Sequence, residues 1–205
     1  MSEGLIVTSH LTSRIEKIAI CFLQHQMTRA LRAALSDAGG MVAVEFALLI
    51  PVMLTMYFGT LETTNAMTAA RRVTNVAQTA GDLTAQVTTV TTADMNDIFA
   101  ASTAILAPFP TNVLNITVSS VVANTSNASN TKVAWSKAYG GATARSTNSQ
   151  VTLPTGLTTP GSSVVMVEVT YNYTSPIASF ITGPIAMHEV AYLKPRRSTE
   201  VTLTP

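Results

Sequence analysis

The stretch Met41–Thr60, MVAVEFALLIPVMLTMYFGT, decides the fold: twenty residues, nearly all apolar, with one charge, Glu45. At about 1.5 Å per residue a helix of this length spans about 30 Å, the thickness of a bilayer's hydrocarbon core. A helix apolar on every side lies either in lipid or at the centre of a large protein. The rest of this chain is too small and too polar to wrap it, which points to a membrane helix. An ordinary secretory signal does not fit. The apolar run is too long, starts about forty residues in, and no small-x-small cleavage site follows it directly. Arg29 and Arg32 before the segment balance Arg71 and Arg72 after it, so basic residues alone do not orient it.

Two residues interrupt the apolar character. Glu45 lies near one end, where an ionised carboxylate is costly, about 2.5 kcal/mol or more at a span's centre; it is either a functional group or an acid that reaches back to water. Pro51 has no N–H and leaves the carbonyl of Ala47 without its helical donor, which predicts a kink.

Beyond Thr60 the helical period continues but becomes one-sided. Ala66, Ala69, Ala70, Val73, Val76, Ala77, Ala80 and Leu83 recur at three- and four-residue steps, with Thr64, Asn65, Thr68, Arg71, Arg72, Asn75 and Gln78 on the other face. This predicts an amphipathic helix to about Val87, ready to dock on a domain. Gly59 and Gly81 are weak points in it, each disfavoured by about 1 kcal/mol against Ala.

The composition agrees with an exported or assembled protein. Of 205 residues 47% are hydrophobic and 11% charged, the latter less than half the usual share of about 25%. A net charge of +1 and the absence of basic clusters interleaved with aromatics argue against nucleic acid as a partner. The single cysteine, Cys21, has no partner in the chain, so disulfide staples and Cys-type zinc sites are excluded.

The residues Gly40, Val44-Glu45-Phe46-Ala47-Leu48, Pro51, Phe58-Gly59 and Glu62, continuing into Arg71-Arg72-Val73-Thr74 and Ala80-Gly81-Asp82-Leu83, resemble the TadE-like family, minor pilins or pseudopilins of the tight-adherence (Tad, Flp) pilus system. The resemblance is strong over about 45 residues from Gly40 and weaker into Lys132–Ser136 and the later strands. It implies that a membrane-embedded prepilin peptidase cuts on the cytoplasmic side between Gly40 and Met41, leaving a hydrophobic first residue and Glu45 as the fifth. A cut after Gly39 would make Glu45 sixth. It also implies an inner-membrane, single-pass subunit with a periplasmic domain. Its partners would be other pilin or pseudopilin subunits, the peptidase, the Tad inner-membrane assembly platform and the lipid bilayer. Glu45, with Phe46 beside it, would set register in assembly by meeting the new Met41 amine of a neighbour. Two features depart from the family pattern: the leader of about forty residues is long, and Asp37-Ala38 before the glycine pair contains no base. The resulting organisation is 1–40 leader, 41–62 transmembrane helix, 63–90 amphipathic continuation and 91–205 outer domain. An uncleaved, single-pass envelope binding protein is the alternative.

In the outer domain, a short helix starts at Thr92 or Asp94 as cap, with Met95, Ile98, Phe99, Ile105 and Leu106 as its stripe, and ends before Pro108 and Pro110. Alternation then predicts strands at Leu114–Ser119, at Lys132–Ala138 with Val133 and Trp135 on one face, at Val165–Tyr173 with Glu168 outward, and at Ala186–Leu193 and Thr199–Leu203. Pro176–Ile181 reads as a helical turn, and Tyr139–Gln150 as an exposed, mobile loop. The sum is α+β: a long N-terminal transmembrane and amphipathic helix packed on a small antiparallel sheet, pilin-like. No catalytic constellation, cofactor motif or metal spacing is present, so no enzyme activity is expected. His188 beside Glu189 reads as an ordinary strand residue, since adjacent positions point to opposite faces. Glu168 and Glu189 could approach across paired strands, a weak acid pair. Arg196-Arg197 reads as a charged cap on an edge strand.

Overall fold

The computed structural model describes residues 38–175 and 183–204; Cys21, the leader and the turn expected at Pro176–Ile181 lie outside them. The order of elements is α1 (Ala38–Ala85), β1 (Thr89–Thr91), α2 (Thr92–Ala104), β2 (Leu114–Ala123), β3 (Thr131–Tyr139), β4 (Ser163–Tyr173), β5 (Ile185–Leu193) and β6 (Thr202–Thr204). The chain divides into two compact units between Gly59 and Thr60.

The first unit, in its described part, is the apolar beginning of α1. Every residue from Met41 to Gly59 is exposed, and α1 is long and apolar enough to cross a membrane. The helix is assigned without interruption through Pro51. Thr55 donates its hydroxyl to the Pro51 carbonyl at 2.8 Å, which keeps one more polar group satisfied within the helix, as lipid requires.

The second unit is α+β. An antiparallel sheet in the order β3-β2-β4-β5 is the platform. One face carries Leu114, Ile116, Val118, Val165, Val167, Val169 and Tyr171 into a core with Ala69, Val73, Val76, Ala77 and Ala80 of α1 and Met95, Ile98 and Phe99 of α2. The period read from the sequence selects these helix residues, with one exception: Ala70 is exposed. It lies next to Ala69, about 100° around the helix, and the docked stripe is narrower than the apolar one. The helix ends at Ala85, two residues before the expected end.

Gly81 sits where α1 packs close on β4 and β5. A Cβ there would run into Leu193 Cδ1 and lie 3.3 Å from Val167 Cγ2; the missing side chain lets α1 approach the sheet closely.

The other sheet face is also covered. Val121, Val133 and Met166 pack with Val151, and Leu153, Val190 and Tyr192 join them. This corrects the expectation that Val133 and Trp135 share a face. Ser120 pairs with Trp135, but Val121 pairs with Val133, so Ala134 is an extra residue. One inserted residue reverses the alternation, sending Trp135 to the helix side and Val133 to the opposite side. The segment expected as a free loop is pinned: Arg145 makes paired bonds of 2.9 and 2.7 Å to Glu168, and Val133 N–H donates to Ser149 O along the outer edge of β3.

The cap of α2 is Thr91, not Thr92 or Asp94. Its hydroxyl accepts from Asp94 N–H at 3.1 Å, and Asp94 accepts from Thr91 N–H at 2.8 Å, a reciprocal capping box. These bonds to Thr91 hold the Asp94 carboxyl below its ordinary pKa. The strand expected at Thr199–Leu203 is shorter and pairs in parallel with β1, in a second two-stranded sheet. Trp135 Nε1 donates to Val201 O at 2.7 Å and fixes the approach to it.

Candidate functional site

In a helix, residues four apart lie one above the other. Met41 and Glu45 therefore occupy one face of α1 on successive turns. Met41 is 76% exposed and Phe46 60%, Glu45 is exposed, and Gly40 precedes them inside the helix. The residues expected to serve processing and register, Gly40, Met41, Glu45 and Phe46, thus follow one another on one helix segment. Pro51 lies in the helix interior two turns further on.

The second half of the resemblance has roles that sequence reasoning missed. The Tyr173 hydroxyl donates to Glu62 Oε1 at 3.1 Å, while Glu62 Oε2 is buried without a partner among the described residues. Burial, then the carboxylate, push the Tyr173 phenol up to about 12. Phe109 packs edge-on to Tyr173, with ring centroids 5.9 Å apart. Arg72 donates through Nη1 to Ile105 O at 2.8 Å, at the carboxyl end of α2, where a cation is favoured. Asp82 forms an ion pair with Arg196, whose backbone N–H donates to Ala85 O at 2.9 Å. Arg196 therefore closes the end of α1, a correction to its reading as the cap of an edge strand. Glu62, Arg72 and Asp82 carried a sequence signal as parts of the resemblance; their partners Tyr173, Ile105 and Arg196 come to them only through the fold.

Other expected neighbours are kept apart. Glu168 pairs with Val190, and Glu189 with Val169, so the two carboxylates face opposite sides of the sheet. His188 is exposed opposite Thr170. A groove of about 610 Å³ is lined by Gln78, Asp82, Glu189 and Tyr192, among others. Among the described residues, no three His, Cys, Asp or Glu side chains gather as a metal site.

No curated protein and no solved structure matches the chain. Residues 40–82 match the model of the family described as TadE-like protein. The match starts at the glycine before Met41 and ends three residues before α1 does. The chain thus carries, from Gly40 to Asp82, the TadE-like segment that its sequence resembles.

Proposed function

We propose that the chain is a structural minor pilin or pseudopilin of a Tad (Flp) type pilus, held in the inner membrane by the apolar beginning of α1, with its sheet domain in the periplasm. One observation carries this reading. The family match begins at Gly40, and the helix behind it exposes apolar side chains on every face, with Glu45 as its first charge. Such a surface is suited to lipid and to other helices like itself.

A cut after Gly40 accounts for Glu45. It releases an ammonium at Met41 and makes Glu45 the fifth residue of a new helix start. A carboxylate there is favoured by the positive end of the helix dipole. Two charges that must both leave water do better paired than apart, and stranding one costs about 3–5 kcal/mol. In a staggered bundle the Met41 ammonium of one subunit meets Glu45 of the next and selects the register. The prepilin peptidase, the assembly platform and neighbouring pilin subunits are the partners this requires. We read the subunit as structural rather than enzymatic, adding its surface to pilus assembly or adhesion.

Amino-terminal sequencing of the protein from membranes of cells with the peptidase tests the reading. Met41 as first residue supports it. A chain that keeps its leader in those cells would instead be the uncleaved envelope binding protein.

A further inference from the structure

We propose that the end of the sheet domain carrying Glu62, Tyr173 and Ile185 rests on the bilayer surface, with Leu61, Ile185 and Met67 in the lipid headgroup layer. The proposal builds on the membrane-anchor reading and adds a second, peripheral lipid contact. In the second unit, the large apolar side chains that stand exposed among the described residues are Leu61 at 38%, Met67 at 55% and Ile185 at 41%. All lie toward one end. Ile185 pairs with Tyr173 across β4 and β5, and the Tyr173 hydroxyl reaches Glu62, the neighbour of Leu61.

Charge is distributed in the complementary way. The β2–β4 register puts Leu114 beside Tyr171, and the β2–β3 register puts Ile116 beside Tyr139. Residues 105–113 and 139–144 therefore gather at the same end as 61–70 and 183–187. These four segments contain no Lys, Arg, Asp or His, and one Glu. That acid, Glu62, is turned toward Tyr173. The opposite end, where Val122 pairs with Lys132 and β5 runs out at Leu193, carries Lys132, Lys194, Arg196 and Arg197. The cations nearest this end are Arg71, exposed one helical turn beyond Met67, and Arg72, which reaches Ile105 O; an end poor in acids with cations beside it suits an anionic headgroup layer.

Chain continuity selects lipid as the occupant. Leu61 follows the apolar segment directly, and Met67 lies about 10 Å further along the helix axis. The headgroup layer is about 5–8 Å deep on each side. Helical side chains point back toward the amino terminus, so Met67 reaches toward that layer rather than away from it.

The test uses the full chain in phosphatidylethanolamine/phosphatidylglycerol vesicles, with Cys21→Ser removing the native thiol and a small fluorophore placed through Ile185→Cys, Met67→Cys, Leu54→Cys or Ser126→Cys. Acrylamide probes water access, and a headgroup-level nitroxide lipid probes membrane contact. The expected result is that labels at 185 and 67 are quenched by the nitroxide and are several-fold less open to acrylamide than the label at 126. Labels at 185 and 67 as open to acrylamide as at 126, with the label at 54 still lipid-quenched, overturn this inference and leave the anchor standing. Absence of lipid quenching at 54 overturns the anchor and the inference together. Shielding at 185 without nitroxide quenching means that protein, such as a second copy, covers this end, and also overturns it.

Discussion

The hydroxyl of Tyr173, at the end of β4, donates to the carboxylate of Glu62 on α1 across 111 residues of sequence. It is a polar link between the sheet and the part of the helix closest to the apolar segment. Replacing Tyr173 with Phe keeps the ring and removes the donor, leaving a carboxylate with one oxygen already unpartnered. The expected loss is about 1–3 kcal/mol, read as a lower midpoint in thermal unfolding of the detergent-solubilised chain. Glu62→Gln in the Tyr173→Phe background should recover part of it, because the charge is gone.

The same pair gives an alkaline limb. The Tyr173 phenol is pushed up to about 12, above its ordinary value of 10.0, so folding favours its neutral form. Its contribution is complete below pH 10 and is lost as pH rises from 10 toward about 12, because the unfolded chain releases the proton first. Burial raises Tyr171 as well, so Tyr173→Phe should flatten this limb without abolishing it. Unfolding midpoints measured between pH 9 and 12 check the slope.

Close packing predicts a sharper effect at Gly81. Valine there meets Leu193 and Val167, and overpacking of this kind costs about 1–3 kcal/mol. Leu193→Ala should recover part of the loss in the double variant, where the clash has been removed. Equal losses in the single and double variants would show that the cost does not come from this contact.

Glu45→Gln separates folding from assembly. Glu45 is exposed and outside the sheet core, so the midpoint of the sheet domain should move by less than about 0.5 kcal/mol. Recovery of the subunit with other pilins should fall sharply. Normal recovery in purified pili or cross-linked complexes would remove Glu45 from the register mechanism.

The two described ion pairs should matter little. Arg196 is 62% exposed opposite Asp82, and Arg145 is 37% exposed opposite Glu168. Arg196→Ala or Arg145→Ala should cost about 0–1 kcal/mol, less at high salt. Midpoints measured in low and high salt distinguish this from a larger packing role.

Much of this architecture is legible in the sequence because it is periodic. The one-sided helix from Ala66 to Leu83 and the alternation in β2 and β4 each repeat long enough to declare a face. What escaped has no period. Thr89–Thr91 and Thr202–Thr204 are too short and too uniform to signal a strand. The bulge at Ala134 turns on a single residue whose insertion changes no composition. Around Gly40, Met41, Glu45, Phe46 and Pro51 the sequence was informative because an acid, a proline and a glycine each break an otherwise apolar rule. Glu62, Arg72, Gly81 and Asp82 were visible as parts of a resemblance, but Tyr173, Ile105, Leu193 and Arg196 reach them only through the fold.

The parallel pairing of Thr89–Thr91 with Thr202–Thr204 also sets a timetable. The strand just after α1 has no partner until residue 204 has been made, and Trp135 has no acceptor until Val201 arrives. Closing so distant a contact comes late. The β1–β6 pairing and the Trp135 hydrogen bond are therefore completed only after the strands of the main sheet have been made.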